Sequence, residues 1–167
     1  MKELTMPETL PIRKTVSILS DIERMQDRVM RRAFEIFEET GGIPGRDVDN
    51  WVAAERELVW KPAVELKEKN EQFTLTIAVA GVGAKDLLIQ VTPEDLLVKA
   101  ESRHEHDDDK GLIHTCEFQD RTLFRTVHFP KRIDANKVTA ELKNGMLTIT
   151  AAIASDAEAT RSKVHMA

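Results

Sequence analysis

One cysteine, no tyrosine, 5% aromatics and no long apolar run mark the 167-residue chain by what it has little of. A lone Cys116 cannot close an internal disulfide, which is compatible with a reducing, cytoplasmic setting. Apolar runs stay far below the roughly 20 residues that a membrane span requires, so no membrane partner is expected. The opening M-K-E-L-T-M-P-E-T-L-P carries no apolar core before a small-residue cleavage site, so a secretory leader is not expected either. There is no basic block, and the formal charge is −5; an acidic chain is poorly suited to phosphate surfaces, which argues against nucleic acid. The scarcity of aromatics excludes no function by itself.

Catalytic and ligand-binding chemistry is sparse in the same way. Gly81-x-Gly83 follows a strand-like stretch but lacks a third glycine and an ensuing helix, so no nucleotide cradle is expected. His104 and His106 with Asp107, Asp108 and Asp109 have the residue types of a divalent-metal site. Their spacing is not zinc-like, though, and a flexible charged loop does not preorganise ligands, so a solvated run is the reading. Cys116 and His114 have the residue types of a thiol nucleophile and its base. Nothing near them supplies an oxyanion site, and a lone Cys is more often a small buried hydrophobe. No enzyme activity, cofactor or metal is expected.

What is present divides the chain in four. Residues 1–15 contain Pro7 and Pro11 and no clear period, so they are expected to be a mobile arm. Residues 16–60 read as a helical hairpin. Ser20-Asp21-Ile22-Glu23 is a capping box with Leu19 as a staple, and Ile22, Met25, Val29, Ala33, Phe34, Ile36 and Phe37 follow at helical spacing. Gly41-Gly42 and Pro44-Gly45 stop this helix. Asp47 or Asp49 can cap a second through Trp51, Val52, Ala54 and Leu58, ending before Pro62. The shared apolar face needs a partner, because so small a unit cannot bury it alone.

Residues 61–153 change to a period of two. Val64-Leu66, Phe73-Leu75-Ile77-Val79, Leu87-Ile89-Val91 and Leu96-Val98-Ala100 alternate with polar or small residues. Further strands are expected over residues 112–118 and 121–129, and Asn144-Gly145 is a tight-turn signal between Val138-Ala140-Leu142 and residues 146–153. Short strands with frequent turns and no intervening helix predict an antiparallel β-sandwich. Arg125, in line with apolar neighbours, calls for an acidic partner. Leu87, Ile89, Val91, Val138, Ala140 and Leu142 supply more apolar positions than one small core obviously requires, so a groove near a sheet edge that takes extended segments competes evenly with plain core packing. Residues 154–167 are small and polar and are expected to be a flexible tail.

The segments F-T-L-T-I-A-V-A-G-V, K-D-L-L-I-Q-V-T-P-E-D-L-L-V-K-A-E, C-E-F…L-F-R-T-V-H-F-P and A-E-L-K-N-G-M-L, in this order and spacing, resemble the α-crystallin domain of small heat shock proteins. The resemblance runs over residues 62–153. It implies a mainly β, immunoglobulin-like sandwich and an ATP-independent holdase that binds unfolding proteins and limits their aggregation. It implies a homodimer formed by strand exchange through the loop strand around residues 112–117, with larger oligomers built from it. Leu112, His114, Cys116, Glu117 and Arg125 would serve the dimer interface, Asn144, Gly145 and Leu147 the signature turn, and the six groove residues named above a client or tail groove. The family's I-x-I or V-x-I tail anchor has only a degenerate counterpart in Val164-His165-Met166, which brings a dimer or small assembly into view. Ile22, Met25, Val29, Phe34, Phe37 and Trp51 would then supply assembly or client contacts. Ala33-Phe34, Asn50-Trp51 and Ala54-Glu55 also resemble a short bacterial domain of unknown function, with Asn50 where an acid is usual. The competing reading is an adaptor module that recognises one dedicated partner through the helical hairpin.

Overall fold

The computed structural model of the chain describes residues 6–102, 111–117 and 120–155. In chain order the elements are β1 (Glu8–Leu10), β2 (Ile12–Lys14), α1 (Leu19–Glu39), α2 (Asp47–Leu58), β3 (Val59–Trp60), β4 (Val64–Lys69), β5 (Gln72–Ala78), β6 (Leu88–Val91), β7 (Asp95–Ser102), β8 (Arg121–His128), β9 (Ile133–Lys143) and β10 (Met146–Ile153). They fall into two compact units. Residues 6–18, 61–100 and 124–155 make a sandwich unit, and residues 19–60 with 101–102, 111–117 and 120–123 make a helical unit.

In the sandwich unit one sheet runs β1-β9-β10-β5-β4, and the other places β2, β6, β7 and β8 side by side. The period of two does what it predicts. Phe73, Leu75 and Ile77 on β5 are buried while Thr74, Thr76 and Ala78 between them are half-buried. Val79, Ile89, Val91, Leu96, Val98, Ile133, Ala140, Leu147, Ile149 and Ala151 complete the interior. Phe73 and Phe129 stack with ring centroids 5.5 Å apart. Burying a large aliphatic or aromatic side chain contributes about 1.5–3 kcal/mol, so the fold of this unit follows from these alternating positions.

Both central residues of the β9–β10 turn take positive φ, Asn144 at 50° and Gly145 at 74°. That fits the twist of the flanking strands. Gly145 is constrained twice over, since a Cβ there would lie 3.0 Å from Ala80 Cα and 3.1 Å from its Cβ. The β4–β5 turn uses positive φ at Asn70 and Glu71, 53° and 58°. No glycine marks this turn, so the sequence hardly announces it.

Three features depart from the sequence expectation. The first fifteen residues contribute two strands where a mobile arm was expected. The sandwich is mixed, because β2 runs parallel to β6 with Ile12 opposite Ile89. Residues 111–117 contain no strand and are exposed, although alternation placed one over 112–118. A strand persists only where its backbone groups find a ladder, and among the described residues none pairs with this segment.

In the helical unit α1 starts at Leu19, one residue ahead of the expected capping serine; helix ends shift by that much. It stops as expected. Gly42 N–H donates to the Phe37 carbonyl at 2.8 Å and Gly41 N–H to that of Glu38 at 3.2 Å, with Gly41 at φ 92°. This double closure satisfies the last carbonyls and needs a left-handed residue. Helix α2 is not capped by an aspartate side chain. Arg46 occupies the cap position without a side-chain hydrogen bond, and Asp47 and Asp49 sit in the first turn, where their charge suits the helix dipole. Arg32 on α1 joins the helices by donating to Glu57 on α2 at 2.6 Å, and it also binds Glu35 at 3.0 Å and Glu39 at 3.1 Å. After α2, β3 runs parallel to the start of β8, with Val59 opposite Thr122 and Trp60 opposite Leu123. Arg28 donates to Thr122 Oγ1 at 3.1 Å.

Two predictions follow from these constraints. Gly145→Ala forces a side chain into a left-handed position, which costs about 1–2 kcal/mol before the contact with Ala80 is counted. Urea unfolding is expected to show at least that loss, and a change under about 0.5 kcal/mol would contradict the account. The hydrogen bond from Arg32 holds the Glu57 carboxyl below its ordinary value of 4.5. A depressed folded-state pKa stabilises above the unfolded value and stops doing so as pH falls through the folded one. The helical unit of Glu57→Gln is therefore expected to melt earlier than wild type at pH 7, with the gap narrowing below pH 4.5. A gap of the same size at pH 3 and pH 7 in a circular dichroism titration would refute the linkage.

Candidate functional site

Five of the six groove residues predicted from the sequence lie on β6 and β9, with Leu87 just before β6, and the edges of both strands are covered by the N-terminal segment. Leu87, Ile89 and Val91 are buried on one wall. On the other, Ala140 is fully buried while Val138 and Leu142 are half-buried. Strand β1 adds antiparallel to β9, with Glu8 opposite Leu142, Thr9 opposite Glu141 and Leu10 opposite Ala140. Two residues on, β2 adds to β6 with Ile12 opposite Ile89, Arg13 opposite Gln90 and Lys14 opposite Val91. A single stretch of seven residues thus crosses from the edge of one sheet to the edge of the other.

The chemistry of that stretch suits the crossing. Side chains of opposed residues share a face, so Leu10 and Ile12 point the same way as the inward-facing Ala140 and Ile89. Leu10 is only 5% exposed. Ala140 is small, which leaves room for the leucine opposite it. Pro11 falls between the two ladders, so its missing N–H costs neither sheet a bond. Beyond it Thr15 N–H donates to the Val91 carbonyl at 2.9 Å, and Lys14 Nζ donates to Asn136 Oδ1 on β9. Sequence reasoning missed this occupant. The available signal was Leu10-Pro11-Ile12, two aliphatic residues one apart around a proline.

Directly after β6 the turn of residues 92–95 is built from a buried threonine. Thr92 Oγ1 accepts from Asp95 N–H at 2.9 Å and Glu94 N–H at 3.2 Å. Phe129 N–H donates to the Glu94 carbonyl at 2.8 Å and Ile133 N–H to the Pro93 carbonyl at 2.9 Å. Arg132 pairs with Glu94 at 2.7 Å, and His128 with Asp95 at 2.8 Å. These contacts fix the end of β6 and the start of β9, the two strands that carry the groove. In the signature turn, Leu147 is fully buried beside Asn144 and Gly145.

The remaining predicted residues are in less uniform settings. On the helices Met25 and Val29 are buried and Ile22 and Phe37 half-buried. Phe34 is 59% exposed and Trp51 36%. Phe34 and Phe37 stack at 6.1 Å. Leu112 is 81% exposed, and His114, Cys116 and Glu117 are exposed as well. Cys116 is therefore not the buried small hydrophobe expected of a lone cysteine; it sits on a segment without a sheet to enter. Among the described residues no acid pairs with Arg125, and its buried Nε has no hydrogen-bond partner there. Leaving a buried donor unmatched costs about 1–3 kcal/mol.

The charged run bearing His104, His106 and Asp107 to Asp109 lies outside the described residues, as does Val164-His165-Met166. Among the described residues no group of three or more His, Cys, Asp or Glu side chains is placed to hold a metal. No helix among them is long and apolar enough to cross a membrane.

Comparison with known proteins agrees with this architecture. Residues 65–166 match the model of the Hsp20/alpha crystallin family, and residues 24–59 match a protein family of unknown function, DUF2934. The spore protein SP21 of Stigmatella aurantiaca is 28% identical over 89 residues, 53% of this chain and 53% of that protein, so the likeness spans about half of that relative. A probable 15 kDa heat shock protein of Leptospira interrogans is 25% identical over 58% of this chain and 72% of its own. Among solved structures, heat shock protein 16.0 of Schizosaccharomyces pombe superposes with a TM-score of 0.52 at 22% identity, covering 57% of this chain and 89% of that one. That likeness is one of fold.

Proposed function

Because the chain belongs to the Hsp20/alpha crystallin family, we propose that it is an ATP-independent holdase that binds unfolding proteins through apolar surface and limits their aggregation. Membership supports a chaperone role in general, and assembly into oligomers is consistent with it. The observation that carries the finer reading is the apolar surface left open on the helical unit. Leu19, Met30, Phe34, Val48, Trp51 and Val52 are all exposed on α1 and α2. Six large apolar side chains exposed on one pair of helices offer apolar surface for interaction, and each Å2 of it that a client covers is worth about 25 cal/mol. The binding needs no nucleotide, since capture is driven by removing apolar surface from water.

Dimerisation belongs to the same proposal. Residues 111–117 are exposed and unpaired, with Leu112 and Ile113 turned to solvent. Among the described residues strand β4 sits at the outer edge of its sheet and pairs with β5 alone. An open edge recruits another strand, and the alternating segment around residues 112–117 of a second copy has the character to supply it. Arg125 and its unmatched Nε then find their acidic partner across the dimer.

Two measurements test these statements. A model client heated or reduced without nucleotide is expected to scatter less light at equimolar protein, and Phe34→Ser with Trp51→Ser is expected to cut that protection at least twofold. Unchanged client scattering at equimolar wild-type protein would sink the holdase reading, and capture of one native protein without protection of denatured clients would favour the adaptor. For the dimer, native mass measurement is expected to give a multiple of two subunits for wild type. Replacing residues 112–117 with Gly-Ser repeats is expected to give monomers, whereas an unchanged mass would place the interface elsewhere.

A further inference from the structure

One stripe of α1 is apolar in the middle and acidic at both ends. Glu23, Asp27, Met30, Phe34 and Glu38 follow one another at steps of three or four residues, so they line one side of the helix. All five are exposed. Phe37 widens the apolar part, its ring stacked on that of Phe34. Arg32, which reaches across to Glu57 on α2, is two residues from both Met30 and Phe34 and so roughly 200° round the helix from each. The stripe therefore points away from the contact that joins the hairpin. Its charges are left unanswered. Arg32 binds Glu35 and Glu39 on the other side of α1, and among the described residues Glu23, Asp27 and Glu38 join no ion pair, even with Arg31 four residues after Asp27. Glu38 stands in the last turn of α1, which holds no basic residue, although a helix C-terminus favours cations. A second copy laid stripe to stripe would set acid against acid, so the complementary occupant is cationic.

We propose that this stripe docks a helical segment of another protein, aliphatic or aromatic in its middle and bearing lysine or arginine at both ends. The rise of the helix puts Glu38 about 17 Å from Asp27 and about 22 Å from Glu23, which sets the separation of the basic groups. Met30 adapts to the shape it meets, and Phe34 supplies a large ring. Burying these two drives the docking, while the carboxylates at the ends select the partner by charge. This inference rests on the reading of the helical unit as a capture surface and names the class of segment that it prefers.

The test uses the full chain and two fluorescein-labelled helical peptides of about 18 residues, long enough to span the stripe. They share a leucine-alanine middle and carry either lysines or glutamates at both ends. Fluorescence anisotropy is expected to show wild type binding the lysine-ended peptide at least tenfold more tightly than the glutamate-ended one. With Glu23→Lys, Asp27→Lys and Glu38→Lys together the preference is expected to reverse, and Phe34→Ser is expected to weaken binding of the lysine-ended peptide at least fivefold. Equal binding of both peptides by wild type, or a lysine preference that survives the three reversals, would overturn the proposal. So would a Phe34→Ser chain that keeps its peptide affinity but falls to a smaller native mass, since a second copy would then be the occupant. Should the reversed chain fail to fold, salt added to wild type decides. At about 1 M, where screening acts over about 3 Å, the preference is expected to shrink below twofold, and an unchanged preference would refute selection by charge. Wild-type protein that protects clients but shows no lysine preference sinks this inference alone, whereas lysine preference without client protection upholds it and sinks the holdase reading.

Discussion

A β-sandwich made of open sheets has to do something about its edges. Here the edges of β6 and β9 lie on the same side of the sandwich, and one segment of seven residues pairs with both. Without it each edge would show a row of unmatched N–H and C=O groups, with Ile89 and Ala140 at the margin of the interior. Proline at the crossing is the residue that this geometry tolerates best, because the chain passes between ladders at that point. The segment is therefore a structural cover for both edges.

The two units treat their apolar residues in opposite ways. The sandwich takes nearly all of them inside, with Phe73, Leu75, Ile77, Leu96, Val98 and Ile149 almost fully buried. The helical unit buries Met25, Val29 and Ala54 and leaves Phe34, Met30 and Val48 outside. Its helices are joined by the Arg32 pair to Glu57, and Arg32 also pairs with Glu35 and Glu39 on its own helix. Such exposed pairs are individually weak, but they position two helices without consuming the apolar face.

Much of the sandwich was legible because its signals are long and redundant. Phe73-Leu75-Ile77 alternates over a whole strand, and Asn144-Gly145 names its turn chemistry outright. Both helices could be placed from their apolar spacing and from Gly41-Gly42. The N-terminal strands escaped because three residues are too few to show a period, and two prolines argue for an arm. Residues 112–118 misled in the opposite sense, since alternation records what a segment would do in a sheet and not whether a sheet is offered. The Asn70-Glu71 turn carries no glycine, and its left-handed residues show only in the backbone. The strands that carry Ile89 and Ala140 could be read from their alternation, while the segment that joins their edges depends on a pairing between residues 10 and 140 that no local pattern reveals.

That pairing also fixes an order of events. Leu10 leaves the ribosome about 130 residues before Ala140, the residue opposite it. At about 5–20 residues per second the wait is on the order of 10 s. The N-terminal segment is made first and docks last, since neither wall of its groove is complete until β9 has formed. A new chain therefore spends its synthesis with its own groove-filling sequence unclaimed, beside any finished copies nearby.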